Sequence, residues 1–201
     1  MNGIEHNAIR RVCVFCGSNT GGDDRYRDAA AGLGRELVAR GWGLVYGGGR
    51  VGLMGVLADA VLAAGGEVIG VIPEMLATRE LQHEGATRMH VVPSMHARKA
   101  LMAESADAFV ALPGGYGTFE ELFEVITWAQ LGIHCKPIGL LDTLGFFDPL
   151  VQMIDHAIAA GFIKQEQRDL ILVERDSATL LDRLPRHVLP TVRKWITPDS
   201  V

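Results

Sequence analysis

Residues 108–121 read Ala-Phe-Val-Ala-Leu-Pro-Gly-Gly-Tyr-Gly-Thr-Phe-Glu-Glu. The first five are an apolar run typical of a buried strand, and the glycines after them predict a turn that opens a helix. Glycine-rich turns let backbone N–H groups point at an anion, and a helix N-terminus adds partial positive charge. This stretch therefore predicts a phosphate-binding turn in which the acid Glu121 stands beside the bound phosphate. Such a placement indicates chemistry on the group that the phosphate carries.

The order of strand, turn and helix recurs along the whole chain. Apolar runs predict strands at residues 12–16, 44–46, 67–72, 89–92, 108–112, 137–141 and 171–173. Helical periodicity predicts helices at residues 24–40, 52–64, 95–105, 118–131, 146–160 and 177–184. Residues 74–87 have mixed charge and weak periodicity, which predicts a loop or lid with some helical turns. Strands that alternate with helices at this spacing predict an α/β fold with a mostly parallel sheet covered on both faces, in a single domain over residues 1–201.

Length and composition are typical of an ordinary globular domain. The chain has 201 residues, of which 48% are hydrophobic and 21% charged, enough to bury a substantial core. A formal net charge of −5 argues against nucleic-acid binding, which needs a basic face, but allows a small anionic ligand. No apolar stretch reaches the roughly 18 residues that a membrane span needs, and the N-terminus lacks a signal-peptide pattern. The expected location is the cytoplasm, with no membrane partner.

Glycine-bearing turns at residues 17–18, 47–49 and 113–117 follow predicted strands. Ligands of parallel sheets bind beyond the carboxyl ends of the strands. Further loop contacts are therefore expected from the first two turns, at Gly17, Ser18, Gly48 and Gly49. Residues 47–52 also match G-x-G-x-x-G, but in the second turn, and Glu67 comes only 15 residues after Gly52. Because a dinucleotide fingerprint belongs at the first turn, with an acid about 20 residues further on, close backbone packing or approach of a ligand is favoured.

Two interpretations of Glu121 follow from its neighbours. Thr118 and Glu121 have the spacing of a capping box, in which each side chain bonds the other residue's N–H, so helix geometry alone could place the acid. Arg98 and Lys99, however, stand near the start of a predicted helix, where cations oppose the helix dipole. They are easier to understand if an anion or a carboxylate lies between them. Because arginine forms paired bonds with a carboxylate or a phosphate, Arg98 is the better candidate.

The other ionisable side chains are expected to be structural. Glu120 and Glu124 lie one turn apart on the same helix, which predicts a solvated face. Cys13 and Cys16 have C-x-x-C spacing but fall in a predicted strand, where residues three apart point to opposite faces. Core packing is therefore favoured over metal or redox chemistry. The seven histidines have no metal-ligand spacing, so neither a metal nor a cofactor is expected.

The chain resembles the LOG family, the cytokinin riboside 5′-monophosphate phosphoribohydrolases, which are often mislabelled as lysine decarboxylases. The resemblance rests on Met-His-Ala-Arg-Lys at residues 95–99 and on Pro-Gly-Gly-Tyr-Gly-Thr-Phe-Glu-Glu at residues 113–121, and it covers nearly the whole chain. It implies a Rossmann-like three-layer sandwich, a homodimer, and hydrolysis of a nucleoside 5′-monophosphate to free base and ribose 5-phosphate. It also implies that Arg98 and Glu121 are the catalytic pair. The substrate contacts that it implies are Glu80, Lys99, Gly115, Tyr116, Gly117, Thr118 and Thr127.

The expected partner is a small-molecule nucleotide whose base is adenine or an N6-substituted adenine. Residues 55–64 form a predicted helix segment rich in small residues, which would suit close packing across a dimer. A pyridoxal-dependent decarboxylase would need a lysine for its Schiff base, and only Lys99 lies near the predicted site. An alternative from another class is a non-catalytic module that binds a nucleotide or molybdenum cofactor, since a similar fold serves carrier proteins for that cofactor. Such a module needs the glycine turns but not Arg98 and Glu121 together.

Overall fold

The computed structural model describes residues 8–77 and 82–190. The strands are β1 (Arg11–Phe15), β2 (Gly43–Tyr46), β3 (Val68–Pro73), β4 (Arg88–Val92), β5 (Ala108–Ala111), β6 (Ile138–Leu141) and β7 (Ile171–Glu174). The α-helices are α1 (Asp24–Ala39), α2 (Gly52–Ala63), α3 (Met95–Glu104), α4 (Tyr116–Gln130), α5 (Asp148–Ala159) and α6 (Ser177–Arg183). The predicted order of strands and helices is confirmed, and most boundaries agree within two residues.

All seven strands form one parallel sheet in the order β4-β3-β2-β1-β5-β6-β7. The chain builds outward from β1 to β4 and then returns to place β5 on the other side of β1. Val12 accordingly pairs with Leu44 of β2 and with Ala108 of β5. The expected α/β Rossmann-like fold is confirmed, and the switch in strand order between β1 and β5 opens a crevice at their carboxyl ends.

The two faces of the sheet carry separate apolar cores. Successive residues of a strand point to opposite faces, so Val14 joins the core under α1, α2 and α6, and Phe15 joins the core under α3, α4 and α5. Strands covered on both faces read as continuous apolar runs, which is why β1, β2 and β5 were recognisable from sequence. The site at their carboxyl ends therefore rests on rigid elements.

The small residues of α2 serve a contact within the chain. Gly34 of α1 lies so close to α2 that a Cβ atom added there would stand 3.0 Å from both the Ala60 Cβ and the Leu57 carbonyl oxygen. Gly34 is also buried. The close packing of α1 on α2 thus gives Ala60 a role within the chain, and the contact of these small residues across a dimer stays a prediction.

The segment predicted as a loop or lid has little regular structure where it is described. Glu74–Leu76 forms one 3₁₀ turn, and Gln82 makes an isolated antiparallel bridge with Gly49. His83 donates its backbone N–H to the Gly48 carbonyl, 3.0 Å away. These contacts attach the second half of the segment to the turn after β2.

Within the described part of the chain, no helix is long and apolar enough to cross a membrane.

Candidate active site

A cavity of about 430 Å³ lies at the carboxyl ends of β1, β2 and β5. This position is the crevice that the strand order predicts, and the volume suits a small-molecule ligand. Its walls come from the turns after these strands and from the first turns of α3 and α4. The three glycine-bearing turns singled out in the sequence all reach this edge of the sheet.

Arg98 lies on the floor of the cavity and is only 9% exposed. The helix that carries it, α3, begins at Met95 and is capped by Ser94, whose Oγ accepts from the Ala97 N–H at 3.1 Å. Arg98 Nε donates to the Val71 carbonyl at 3.1 Å, and Nη1 donates to Glu121 Oε1 at 2.6 Å. The guanidinium is therefore held from two sides, and the predicted carboxylate partner of Arg98 is present.

Glu121 is the other half of this buried pair and is 8% exposed. Burial raises the pKa of its carboxyl above the ordinary value, and the nearby Arg98 charge and hydrogen bond pull that pKa down. Glu120 pushes the pKa up and Lys99 pulls it down, both more weakly. The carboxylate therefore stands in a water-poor site where its charge acts strongly on a bound group.

The capping-box interpretation of Glu121 is wrong. Helix α4 begins at Tyr116, two residues earlier than expected, with Gly115 as its N-cap and no side-chain capping bond. Thr118 is therefore inside the first turn, buried, with its hydroxyl packed against Gly114. Because Glu121 is a full turn further on, its carboxylate points to Arg98 and does not return to the helix start.

The expectation of a solvated face for Glu120 and Glu124 is confirmed only in part, because the Glu120 side chain is 54% exposed and the Glu124 side chain 23%. The Lys99 ammonium, only 10% exposed, binds the carboxylates of both residues, with Glu124 Oε1 at 2.9 Å. The like-charged pair is thus neutralised in part by a cation from the neighbouring helix. This cluster links α3 to α4 beside the Arg98–Glu121 pair, because Lys99 follows Arg98 on α3 and Glu120 precedes Glu121 on α4.

The structure brings several of the expected substrate contacts to the cavity and leaves others away from it. Its walls include Ser18, Gly49, Gly115, Tyr116, Gly117 and Thr118. Gly17 lines a smaller neighbouring cavity of about 180 Å³, which also touches Ser18 and Gly115. Gly48, at φ 75°, packs against Ile72 and Met89 of β3 and β4.

Two further expected contacts are not in the wall of this cavity. Lys99 is held between Glu120 and Glu124. Thr127 is exposed on α4, where its hydroxyl donates to the Phe123 carbonyl at 2.7 Å. Glu80 lies outside the described residues.

Sequence reasoning missed the apolar wall of the cavity. This wall consists of Val51, Met54, Ile72, Leu76 and Met95. Ile72 lies near the end of β3, and the others follow a strand or lie in the first turn of a helix. A search of all residues at the carboxyl edge of the sheet would therefore have found them. Their side chains are suited to the flat faces or apolar substituents of a ligand.

Cys13 and Cys16 are confirmed as core residues. Both are buried and unpaired, and they belong to the cores on opposite faces of the sheet. Burial raises the pKa of both thiols, which keeps them neutral. Within residues 8–77 and 82–190, no group of three or more His, Cys, Asp or Glu side chains is arranged to hold a metal ion.

Solved structures with the same fold include molybdenum cofactor proteins. The molybdenum cofactor carrier protein of Chlamydomonas reinhardtii is 23% identical, with a TM-score of 0.65 over 88% of this chain and 96% of that chain. The molybdenum cofactor binding protein of Rippkaea orientalis is 20% identical, with a TM-score of 0.64 over 86% of this chain and 93% of that chain. At this identity the likeness shows the fold alone.

Sequence comparison identifies much closer relatives. Residues 54–184 match the family model described as "Possible lysine decarboxylase". A probable cytokinin riboside 5′-monophosphate phosphoribohydrolase of Oryza sativa subsp. japonica is 54% identical over 92% of this chain and 82% of the relative. The cytokinin riboside 5′-monophosphate phosphoribohydrolase LOG of the same plant is 52% identical over 92% and 77%. A homologous phosphoribohydrolase of Arabidopsis thaliana is 52% identical over 90% and 84%. The chain therefore belongs to the LOG family, to which these phosphoribohydrolases belong.

Proposed function

We propose that this protein hydrolyses the N-glycosidic bond of an adenine or N6-substituted adenine nucleoside 5′-monophosphate. The products are the free base and ribose 5-phosphate. The observation that carries the proposal is the buried Arg98–Glu121 pair, joined at 2.6 Å on the floor of a cavity beside the glycine-rich start of α4. The names of the relatives, at 52–54% identity, support the same reaction.

The 5′-phosphate binds at the N-terminus of α4. The first N–H groups of a helix lack partners within the helix and, with the helix dipole, favour an anion. Gly115, Tyr116 and Gly117 are exposed at the cavity, and Gly115 leaves the helix start without a side-chain cap. Helices α1, α3 and α6 are capped by Asp23, Ser94 and Asp176, whereas α2 and α5 lack a side-chain cap, as α4 does.

Glu121 acts at the ribose. As the bond from C1′ to the base nitrogen breaks, its electron pair leaves with the base and positive charge develops on the sugar. The Glu121 carboxylate stabilises that charge and orients the attacking water, whose oxygen bonds to C1′. The proton released from the water is taken up by the departing base, directly or through solvent. Arg98 holds the carboxylate in place through its bonds to Glu121 and to the Val71 carbonyl.

The apolar wall is suited to the base. Met54 and Met95 are adaptable side chains that fit a purine face or an apolar N6 substituent. The protein is accordingly expected to act on cytokinin nucleotides and also to have AMP nucleosidase activity, since the same phosphate and ribose contacts serve both substrates.

Lysine decarboxylation by a pyridoxal cofactor has little support. The residues that line the cavity include no lysine among those described. Lys99 is bound by two carboxylates, and Lys136 Nζ donates to the Ala103 carbonyl at 2.6 Å. A Schiff base needs a lysine that faces the ligand.

The test is product analysis with the purified protein. AMP and isopentenyladenine riboside 5′-monophosphate are each incubated with the protein, and free base and ribose 5-phosphate are quantified by chromatography. Adenosine is the matched control, because a nucleoside without phosphate lacks the remote binding energy and should react poorly. Recovery of intact nucleotide from a bound complex would contradict the proposal and favour the non-catalytic binding module.

We propose further that the protein is a homodimer through α4. Tyr116, Phe123 and Leu131 are exposed and, with Thr127, share one face of this helix. Thr127 is not in the cavity wall and lies six residues after Glu121, or about 9 Å along the helix. A substrate contact from Thr127 would therefore act on a second copy. Light scattering should give twice the chain mass for the wild type, and a monomer for Phe123→Asp with Leu131→Asp.

The chain is also proposed to work as a single domain in the cytoplasm. Its described strands all join one sheet, and its three cysteines are free, as is usual in a reducing compartment. Cell fractionation with a tagged full-length chain tests the location.

A further inference from the structure

Gly47 lies directly after β2, at the point where the Arg98 side chain crosses the end of that strand. A Cβ atom added to Gly47 would overlap Arg98 Nη2 and would lie 3.3 Å from Arg98 Cζ. Gly47 also lines the main cavity, together with Arg98 and Glu121. The guanidinium therefore occupies the space that any other residue at position 47 would fill with its side chain.

We propose that Gly47 is a positioning residue whose missing side chain sets the place of the Arg98 guanidinium, and through it the orientation of the Glu121 carboxylate. Arg98 is held by the Val71 carbonyl on one side and by Glu121 on the other. Gly47, directly after β2, limits the position of the Arg98 guanidinium on a third side. The effect on catalysis rests on the proposed function, whereas the effect on the position of Arg98 does not.

The backbone conformation of Gly47 does not require glycine. Gly48, its neighbour, has φ 75°, and Gly52 has φ 62°, but Gly47 is not in the left-handed region. An alanine at position 47 is thus compatible with the backbone, and the Met54 Sδ atom at 3.4 Å from the added Cβ is at ordinary contact distance. The steric conflict is with Arg98, so Gly47→Ala tests that one contact.

The displacement has a direct consequence for Glu121. A Cβ atom needs more than 3.0 Å from its neighbours, so the guanidinium must move by about 1 Å, enough to cost about 10²-fold in rate at a catalytic site. Glu121 is faced by the charged groups of Arg98, Glu120 and Lys99, of which Arg98 is the strongest in lowering its pKa. The buried thiols of Cys13 and Cys16 also lie near it, and burial keeps them neutral. Weakening the contact with Arg98 should therefore also shift the acid limb of the pH–rate profile to higher pH.

The first measurement is kcat, KM and the pH–rate profile of Gly47→Ala with the nucleotide substrate. We expect kcat to fall about 10²-fold, KM to change less, and the acid limb to shift upward. The matched control is Gly139→Ala in β6, where the added Cβ would meet Leu180 Cδ1 at 2.8 Å, away from the cavity. This control should lower stability without moving the pH profile. An unchanged profile in Gly47→Ala would overturn the proposal.

The second measurement is a thermal-unfolding cycle that does not depend on any activity. Gly47→Ala should lower Tm by roughly 3–9 °C in the wild type, as expected for overpacking in a chain of this size. In an Arg98→Ala background most of that loss should disappear, because the overlapping atoms are gone. Arg98→Met serves as the second background if Arg98→Ala does not fold. An equal loss of Tm in both backgrounds would overturn the proposal. If the wild-type protein has no activity but the loss of Tm depends strongly on Arg98, the positioning role is supported and only the proposed reaction is rejected.

Discussion

Replacing Glu121 with glutamine removes the charge of the proposed catalytic group and little else. Glutamine has nearly the same shape, and its Oε1 can still accept from Arg98 Nη1, which lies 2.6 Å from the Glu121 carboxylate. What is lost is the negative charge that would face the developing positive charge on the ribose. Groups in this role contribute about 10²–10⁴-fold to the rate, or about 2.7–5.4 kcal/mol at 1.36 kcal/mol for each factor of ten.

The free energy of unfolding should fall as well, by up to about 3–5 kcal/mol, because the buried Arg98 guanidinium loses its counter-charge and keeps only neutral partners such as the Val71 carbonyl. The assay is the release of free base from a nucleoside 5′-monophosphate under saturating substrate, with chemical unfolding in parallel. Glu124→Gln is the matched control, three residues further along α4. Glu124 is outside the cavity wall, and Lys99 retains its bond to Glu120 in this variant. The control should keep near-normal kcat.

The pH dependence gives a second check on the same residue. The ionised carboxylate is the active form, so the wild-type rate should fall as the pH drops through the raised pKa of Glu121, above the ordinary value of 4.5. The glutamine variant should lack this limb. For stability the folded-state pKa exceeds the unfolded one, so the contribution of Glu121 is present below pH 4.5 and is lost as pH rises through the folded pKa. Glu121→Gln should therefore gain stability relative to wild type over that rise. A variant within tenfold of wild-type kcat at neutral pH would refute the catalytic role.

Three further substitutions test other parts of the structure. Lys99→Ala should cost about 1–3 kcal/mol of unfolding free energy, because it leaves two carboxylates of α4 without their cation; a raised KM at unchanged stability would instead indicate a direct substrate contact. Leu122→Ala removes a fully buried side chain next to Glu121 and should cost about 2–5 kcal/mol by urea unfolding, with a smaller loss contradicting the tight packing under α4. Gly32→Ala should stabilise α1 by about 0.5–1 kcal/mol, because the added Cβ would meet nothing closer than 3.9 Å; a lower Tm would contradict this.

The site shows where prediction from sequence reaches its limit. Arg98 and Glu121 were both expected in the site, and the structure places their charged groups in contact. The partners of Lys99 were not expected, since a charged side chain on a helix is usually solvated. Residues 21 and 25 positions apart meet only because α3 and α4 pack side by side on the same face of the sheet.

The start of α4 illustrates the same limit within one segment. Thr118 and Glu121 fit a capping box, and local chemistry alone favours it. The buried Thr118 side chain and the contact of its hydroxyl with Gly114 accompany a helix that begins at Tyr116. Tertiary packing therefore overrode the local preference and turned Glu121 toward Arg98.

The sequence by itself determined the order of strands and helices, the parallel sheet and the glycine-rich turn, because apolar periodicity and glycine conformation are local properties. Only the tertiary structure decided which side chains share the cavity. Gly47 is the clearest case, since nothing in its own neighbourhood of the chain shows that the Arg98 guanidinium, 51 residues later, occupies the place of its missing side chain. Such contacts depend on how the ends of different strands come together, which the folded sheet alone sets.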